Sequence, residues 1–281
     1  MKKKKQVEMT FLEHAETLRK HVIRAILSIL VIAIAAFIFK DIIFDDILFA
    51  PKRPEFFTNE ILCQLGKSIG IKSLCINQNP FEIINIKMSG QFMIHVTVSL
   101  IVGLVVAFPF VFNEFWRFLK PALKKKEVKH GRGAVLAASI LFSTGAFFGY
   151  FIIVPLTLEF FGNYTVSKDV TNQINLNSYV QSFSSIILSS AVIFEMPVLI
   201  YFLSKIGLVT PKFLKKYRKH SIVIILTLAA VITPPDIFSQ ILVSLPLIML
   251  YELSIGVSKR IEKKNLKRLI AEEQSVRQTK S

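Results

Sequence analysis

The sequence predicts an all-α polytopic membrane protein with six transmembrane helices and both termini on the same side. Three observations carry that prediction. The 281 residues are 52% hydrophobic and only 19% charged, with a mean hydropathy of +0.53, more apolar than a single soluble core can hide. The apolar residues gather in long runs near 22–39, 92–112, 134–158, 183–203, 222–232 and 237–257, and a spanning helix needs roughly 17–25 such residues. The basic residues, finally, are distributed unevenly between the connecting segments.

Each run has its own justification. The first follows Lys2 to Lys5 and mimics a signal peptide. It is too long for an h-region, however, and closes on Phe37, Ile38, Phe39 and Lys40 in place of small cleavage-site residues. It is therefore read as an uncleaved span. Met9 to His21 mixes Phe11, Leu12 and Leu18 with Glu13, Glu16, Arg19 and Lys20, the pattern of a cytoplasmic amphipathic segment over residues 1–21. The six-helix domain covers 22–258, with an exported loop at about 40–91, and a cytoplasmic tail follows over 259–281. The fifth run is short and also fits a re-entrant segment. It leads through Thr233, Pro234, Pro235 and Asp236 into the sixth, which reads as a tight hairpin of two short spans tolerated at modest mismatch cost. Pro109, Pro155, Pro197 and Pro246 lie inside runs and predict bent helices, since each removes an i to i−4 hydrogen bond.

The charge pattern sets the orientation. Of 35 Lys+Arg, only Lys40, Lys52, Arg53, Lys67, Lys72, Lys87 and Lys168 fall on one side, and the other 28 fall on the side of the two termini. By the positive-inside rule both termini are cytoplasmic. The net charge of +16 then reports topology and anionic lipid, not nucleic acid, because the basic clusters flank apolar spans and lack interleaved stacking aromatics.

Function classes narrow by what is missing. No GxxxxGK[ST], HExxH or GxSxG appears, so the reading is a non-enzyme with no cofactor and no metal. Cys63 and Cys75, both in the exported loop, are twelve residues apart. In an oxidising compartment they are expected to form a disulfide, the alternative being two buried apolar thiols.

Glu195 stands inside the fourth run, in Phe194-Glu195-Met196-Pro197. A carboxylate near midplane costs roughly 2.5–3.5 kcal/mol on insertion scales, so it faces a cavity, a partner helix or a proton path, or is a neutral acid stapling helices. Gln240, with Ser239 and Ser244, adds amide and hydroxyl groups to the last run. Gly145 to Gly149 spell a GxxxG, which serves close packing within one chain or self-association.

Together these residues form a resemblance. Phe11-Leu12-Glu13-His14 with Leu18-Arg19, then Phe115 to Leu123 (FWRFLKPAL) followed by Glu127, then Phe194-Glu195-Met196-Pro197, then Thr233 to Gln240 (TPPDIFSQ) resemble the blocks of the TatC family in order, over roughly residues 9–258. The resemblance implies a cupped six-helix receptor in the bacterial cytoplasmic (inner) membrane. It would bind twin-arginine signal peptides of folded precursors and recruit single-span partners of the TatA and TatB type, for export driven by the proton-motive force. Reading adjacent arginines calls for carboxylates in bidentate contact, and Glu127 is the residue carried over for that role, its plain alternative being neutralisation of Lys124 to Lys126. The family's second carboxylate falls at Thr17, with Glu16 one residue earlier and about 100° away around a helix. Arg19 is read as organising the site and Phe118 as packing against the signal peptide. Trp116 fits an interfacial aromatic belt. Glu195, Thr233 and Gln240 are carried over as intramembrane positions for partner helices, and Pro109, Pro197, Pro234, Pro235 and Asp236 as structural. The rival reading is a proton- or ion-coupled secondary transporter of a small solute using Glu195, although no inverted internal repeat is visible.

Overall fold

The computed structural model of the chain describes residues 11–71, 74–78, 81–119, 131–167, 169–170, 172–233 and 237–280. Among them ten helices are labelled here: α1 (Phe11–Ile38), α2 (Phe57–Ile69), α3 (Gly90–Leu119), α4 (Gly131–Phe148), α5 (Val154–Asn163), α6 (Leu176–Phe194), α7 (Met196–Lys205), α8 (Pro211–Lys216), α9 (Arg218–Ile232) and α10 (Ile237–Lys280). Two parallel two-residue strands, β1 (Ile83–Ile84) and β2 (Ile174–Asn175), pair Ile83 with Ile174 and Ile84 with Asn175.

Among the described residues, five stretches are long and apolar enough to cross a membrane: Glu16–Ile38, Gly90–Phe118, Gly133–Asn163, Leu176–Lys205 and Ser239–Leu266. Helix α9, over the fifth apolar run, has 15 residues, or about 22 Å at 1.5 Å per residue. Large apolar side chains such as Val31, Ile34 and Ile38 are exposed, as expected where lipid, not water, is the surrounding solvent. Helix α1 runs unbroken from Phe11, so the amphipathic segment ending at residue 21 and the first span are one helix. Helix α10 likewise carries the last span on through Lys280 without interruption.

The prolines act in two ways. α3 and α10 continue through Pro109 and Pro246, whereas the third and fourth spans change helix type at theirs. A π turn over Gly149–Ile153 precedes Pro155, and α6 ends at Phe194 with α7 beginning at Met196. Pro197 lacks the N–H that would reach Ile193; the Glu195 N–H donates to the carbonyls of Val192 and Ile193 instead, and the Glu195 carbonyl accepts from Val198 and Leu199, each at 3.0 Å.

The described chain divides into two compact units. The first takes residues up to Phe44 with Lys87–Ile140, the second Asp45–Ile86 with Leu141 onward. In the first, α1 and α3 pack antiparallel: His21 meets Glu114, Ala33 meets Gly103, and Phe37 stacks on His95 at 3.8 Å between ring centroids. A Cβ at Gly103 would lie 2.7 Å from the Ile29 carbonyl oxygen and 2.9 Å from the Ala33 Cβ, so this crossing needs glycine.

In the second unit the same device joins α4 to α6. A Cβ at Gly145 would meet the Ser190 carbonyl oxygen at 2.7 Å and the Ala191 Cα at 2.8 Å, and one at Gly149 would meet Ser190 at 3.1 Å. The GxxxG thus packs helices within this chain. The loop after the first span is ordered around Asn59, fully buried, whose amide donates to the carbonyls of Pro51 (3.0 Å) and Arg53 (2.8 Å). Asn77, at φ 53°, a left-handed conformation that asparagine tolerates, bonds Asn59 Oδ1 at 3.2 Å and the Pro155 carbonyl at 3.0 Å. Its backbone N–H donates to Glu159 at 2.5 Å. Cys63 and Cys75 are joined by a disulfide, with Cα atoms 4.0 Å apart.

Candidate functional site: the polar end of the α1–α3 pair and the polar groups of α6, α9 and α10

At the end of the α1–α3 pair the polar residues form a connected cluster. Glu114 is 9% exposed. Its Oε2 lies 2.6 Å from His21 Nδ1, and its Oε1 accepts from Arg117 Nη1 at 2.8 Å, with Arg24 Nη1 4.0 Å from Oε2. Helical spacing places Arg117 and Phe118 one turn from Glu114, and Thr17 one turn from His21. His21 also sits edge-on to Phe118, with ring centroids 6.4 Å apart.

The residues singled out on α1 are disposed around that cluster. Thr17 is half-buried, while Glu16 and Arg19 are exposed. Glu16 pairs with Lys20 at 2.8 Å along the same helix, a solvent-facing i,i+4 bridge that water and salt screen. The 100° between positions 16 and 17 is therefore realised: Glu16 and the half-buried Thr17 differ in exposure as neighbours around a helix do. Phe118 is half-buried. Trp116, expected at an interfacial belt, is instead buried, at 5% exposure, where its large apolar area gains most from packing. Glu127 lies outside the described residues, as do Pro234, Pro235 and Asp236.

The second unit holds a different polar set. Glu195 occupies the break between α6 and α7, half-buried, with both carboxyl oxygens shielded from solvent. Among the described residues no side chain bonds either oxygen, and the backbone of Phe142 is the polar group that approaches the carboxyl. Thr233 is 6% exposed and donates to the Ala229 carbonyl at 2.8 Å, closing α9. It also lines a cleft of about 400 Å³ with Thr157, Gln181, Ser182, Ser185 and Ser189. Gln240 Nε2 reaches the Leu226 carbonyl at 3.5 Å, linking α10 to α9, and Ser204 donates to Ser258 at 2.8 Å between α7 and α10. Among the described residues no cluster of His, Cys, Asp and Glu has the makings of a metal site.

Residues 13–246 match the family described as "Sec-independent protein translocase protein (TatC)". The chain belongs to the TatC family. The TatC protein of Blattabacterium sp. subsp. Periplaneta americana is 41% identical over 264 residues, covering 93% of this chain and 99% of that one. That of Desulforapulum autotrophicum is 34% identical over 245 residues, covering 87% and 82%. Two crystal structures, both named for the "Twin Arginine Translocase Receptor- TatC", are 30% identical. One covers 89% of this chain and all of its own with a TM-score of 0.61, and the other, in DDM, covers 88% and 99% with 0.65. As a TatC protein the chain is a polytopic membrane component of Sec-independent protein translocation and not an enzyme.

Sequence reasoning missed Glu114 and His21. The signal was an acid, Glu114, one helical turn before Phe118 at the end of an apolar run. It was readable as costly to bury, but its partner lies 93 residues away. The hydroxyls of α6 were missed too, because each alone is compatible with backbone bonding inside its own helix.

Proposed function

We propose that this chain is the signal-peptide receptor of a twin-arginine translocase, binding the paired arginines of a folded precursor's signal peptide at its cytoplasmic face. The observation that supports this reading is the match across residues 13–246 together with the sequence block from Phe115 to Glu127. Glu127 is the arginine-reading carboxylate, Phe118 packs against the apolar segment that follows the arginines, and Arg19, Thr17 and Glu16 complete the α1 side. Two arginines select for carboxylates because the planar guanidinium makes two parallel charge-assisted bonds that an ammonium cannot copy.

The proposal includes six crossings, with α9 as the short fifth, both termini in the cytoplasm, and placement in the bacterial inner membrane. It also assigns Glu195, Thr233 and Gln240 to the reception of single-span TatA- and TatB-type helices. The shielded Glu195 carboxyl supports that role, since a buried acid without a full hydrogen bond gains from a donor on an arriving helix. Export itself would draw on the proton-motive force.

The test is binding of the detergent-purified chain to a signal peptide bearing Arg-Arg and to the same peptide bearing Lys-Lys. Preference for Arg-Arg that Glu127→Ala removes is the expected result. Equal binding of both peptides by folded protein overturns the receptor reading.

A further inference from the structure

The cluster at the end of α1 and α3 contains a buried carboxylate that the receptor reading leaves without a role. Glu114 is not built to read a peptide arginine. One oxygen is taken by His21 at 2.6 Å and the other by Arg117 at 2.8 Å, with Arg24 standing at 4.0 Å. An incoming guanidinium would have to enter a neighbourhood that already holds the guanidinium groups of Arg117 and Arg24 around one acid, and like charges at such distances oppose it.

What the bond to His21 does is mechanical. It joins α1 to α3 at their shared end, where the pairs Ala33 with Gly103 and Phe37 with His95 hold the rest of the antiparallel contact. Because the helices are antiparallel, Thr17, one turn before His21, and Phe118, one turn after Glu114, both lie beyond this rung on the same side. His21 itself touches the Phe118 ring edge-on. The rung therefore sets the spacing and register between the α1 face at Thr17 and the α3 aromatic at Phe118.

We propose that Glu114 and His21 are positioning residues of the signal-peptide site: their bond fixes the α1 face at Thr17 against Phe118, so that the peptide's arginine pair and its following apolar segment are engaged together. This rests on the receptor reading above. The pair acts as a unit, since an acid and an imidazole sharing one bond lose it whichever is removed.

The experiment measures the Kd of labelled Arg-Arg and Lys-Lys signal peptides for the full detergent-purified chain and for Glu114→Ala, His21→Ala, the double variant and Glu114→Gln, each checked for helicity and a single size-exclusion peak. Each alanine variant is expected to weaken Arg-Arg binding about ten-fold, with the double variant no more than about three-fold weaker than either single one, as for two groups sharing one interaction. Glu114→Gln keeps a hydrogen-bonding amide at the rung; it is expected to stay within about three-fold of wild type and to keep the preference for Arg-Arg. If Glu114→Ala does not fold, His21→Ala breaks the same rung from the other helix and carries the test.

Unchanged binding by folded alanine variants overturns the proposal, as do losses that simply add in the double variant. Loss of the Arg-over-Lys preference in Glu114→Gln overturns it by making Glu114 a direct reader. Wild type that binds Arg-Arg selectively while the variants bind equally well sinks this inference and leaves the receptor reading standing; wild type that binds neither peptide sinks both.

Discussion

Glu114 and Glu195 are the same residue type in apolar helices, and the two units treat them oppositely. In the first unit Glu114 is buried with an imidazole on one oxygen and a guanidinium on the other. In the second, Glu195 is shielded from solvent, and among the described residues no side chain bonds either of its oxygens. A carboxyl with its partners supplied from its own chain strengthens the contact that supplies them. One without them costs stability, and a protein retains such a group where something outside the fold uses it. The contrast separates a polar group that builds the structure from one the structure merely tolerates.

The largest way to break that comparison is to remove the packing that holds Glu195 in place. Gly145→Leu drives a side chain into the Ser190 carbonyl and Ala191 Cα, both under 3.0 Å from a Cβ. It is expected to cost about 3 kcal/mol or more by overpacking, read as loss of folded protein in a detergent melt. Gly133→Ala, with nothing within 4 Å of its Cβ, should instead raise stability slightly by helix propensity, by about 1 kcal/mol at most. Next in size is the loop between α1 and α3: opening the Cys63–Cys75 bridge, by Cys63→Ser with Cys75→Ser, should lower stability by about 3 kcal/mol for a loop of this length. A melt with and without reductant checks it, and no difference in wild type would show that the bridge does not constrain the unfolded chain.

The direct test sets the two acids against each other. Glu114→Ala is expected to destabilise the chain by about 1–3 kcal/mol, the cost of leaving buried partners unsatisfied. Glu195→Leu is expected to stabilise it by about 1–2 kcal/mol while impairing export of a twin-arginine reporter. If both substitutions shift the melt in the same direction, the contrast between the units is wrong. The smallest effect belongs to Arg218→Ala. The Arg218–Glu252 pair between α9 and α10 is close, at 2.5 Å, but 54% and 39% exposed, so its loss should cost less than about 1 kcal/mol and vanish at high salt.

The spans were legible in the sequence because their signal is local: an apolar run long enough for the bilayer announces itself without reference to any other part of the chain. That explains why the first four runs and the last reappear as the five long apolar stretches, and why the TatC blocks were readable in order. The same locality misled where a residue's environment is set from a distance. Trp116 has the composition of a belt residue and is buried. Nor could proline by itself show that Pro109 and Pro246 would be absorbed by continuous helices while the Pro197 region would split at Glu195, since that depends on which neighbouring N–H compensates the lost bond.

The sequence by itself determined the class of the protein, its apolar spans, its charge asymmetry and its family, because each is a property of residue type and spacing along the chain. The tertiary structure alone decided that Gly145 and Gly149 are used inside the chain, that the Ala33–Gly103 contact brings α1 onto α3, and that His21 completes Glu114 across 93 residues. Those outcomes turn on backbone separations of a few tenths of an ångström and on partners distant in sequence, which no local pattern encodes.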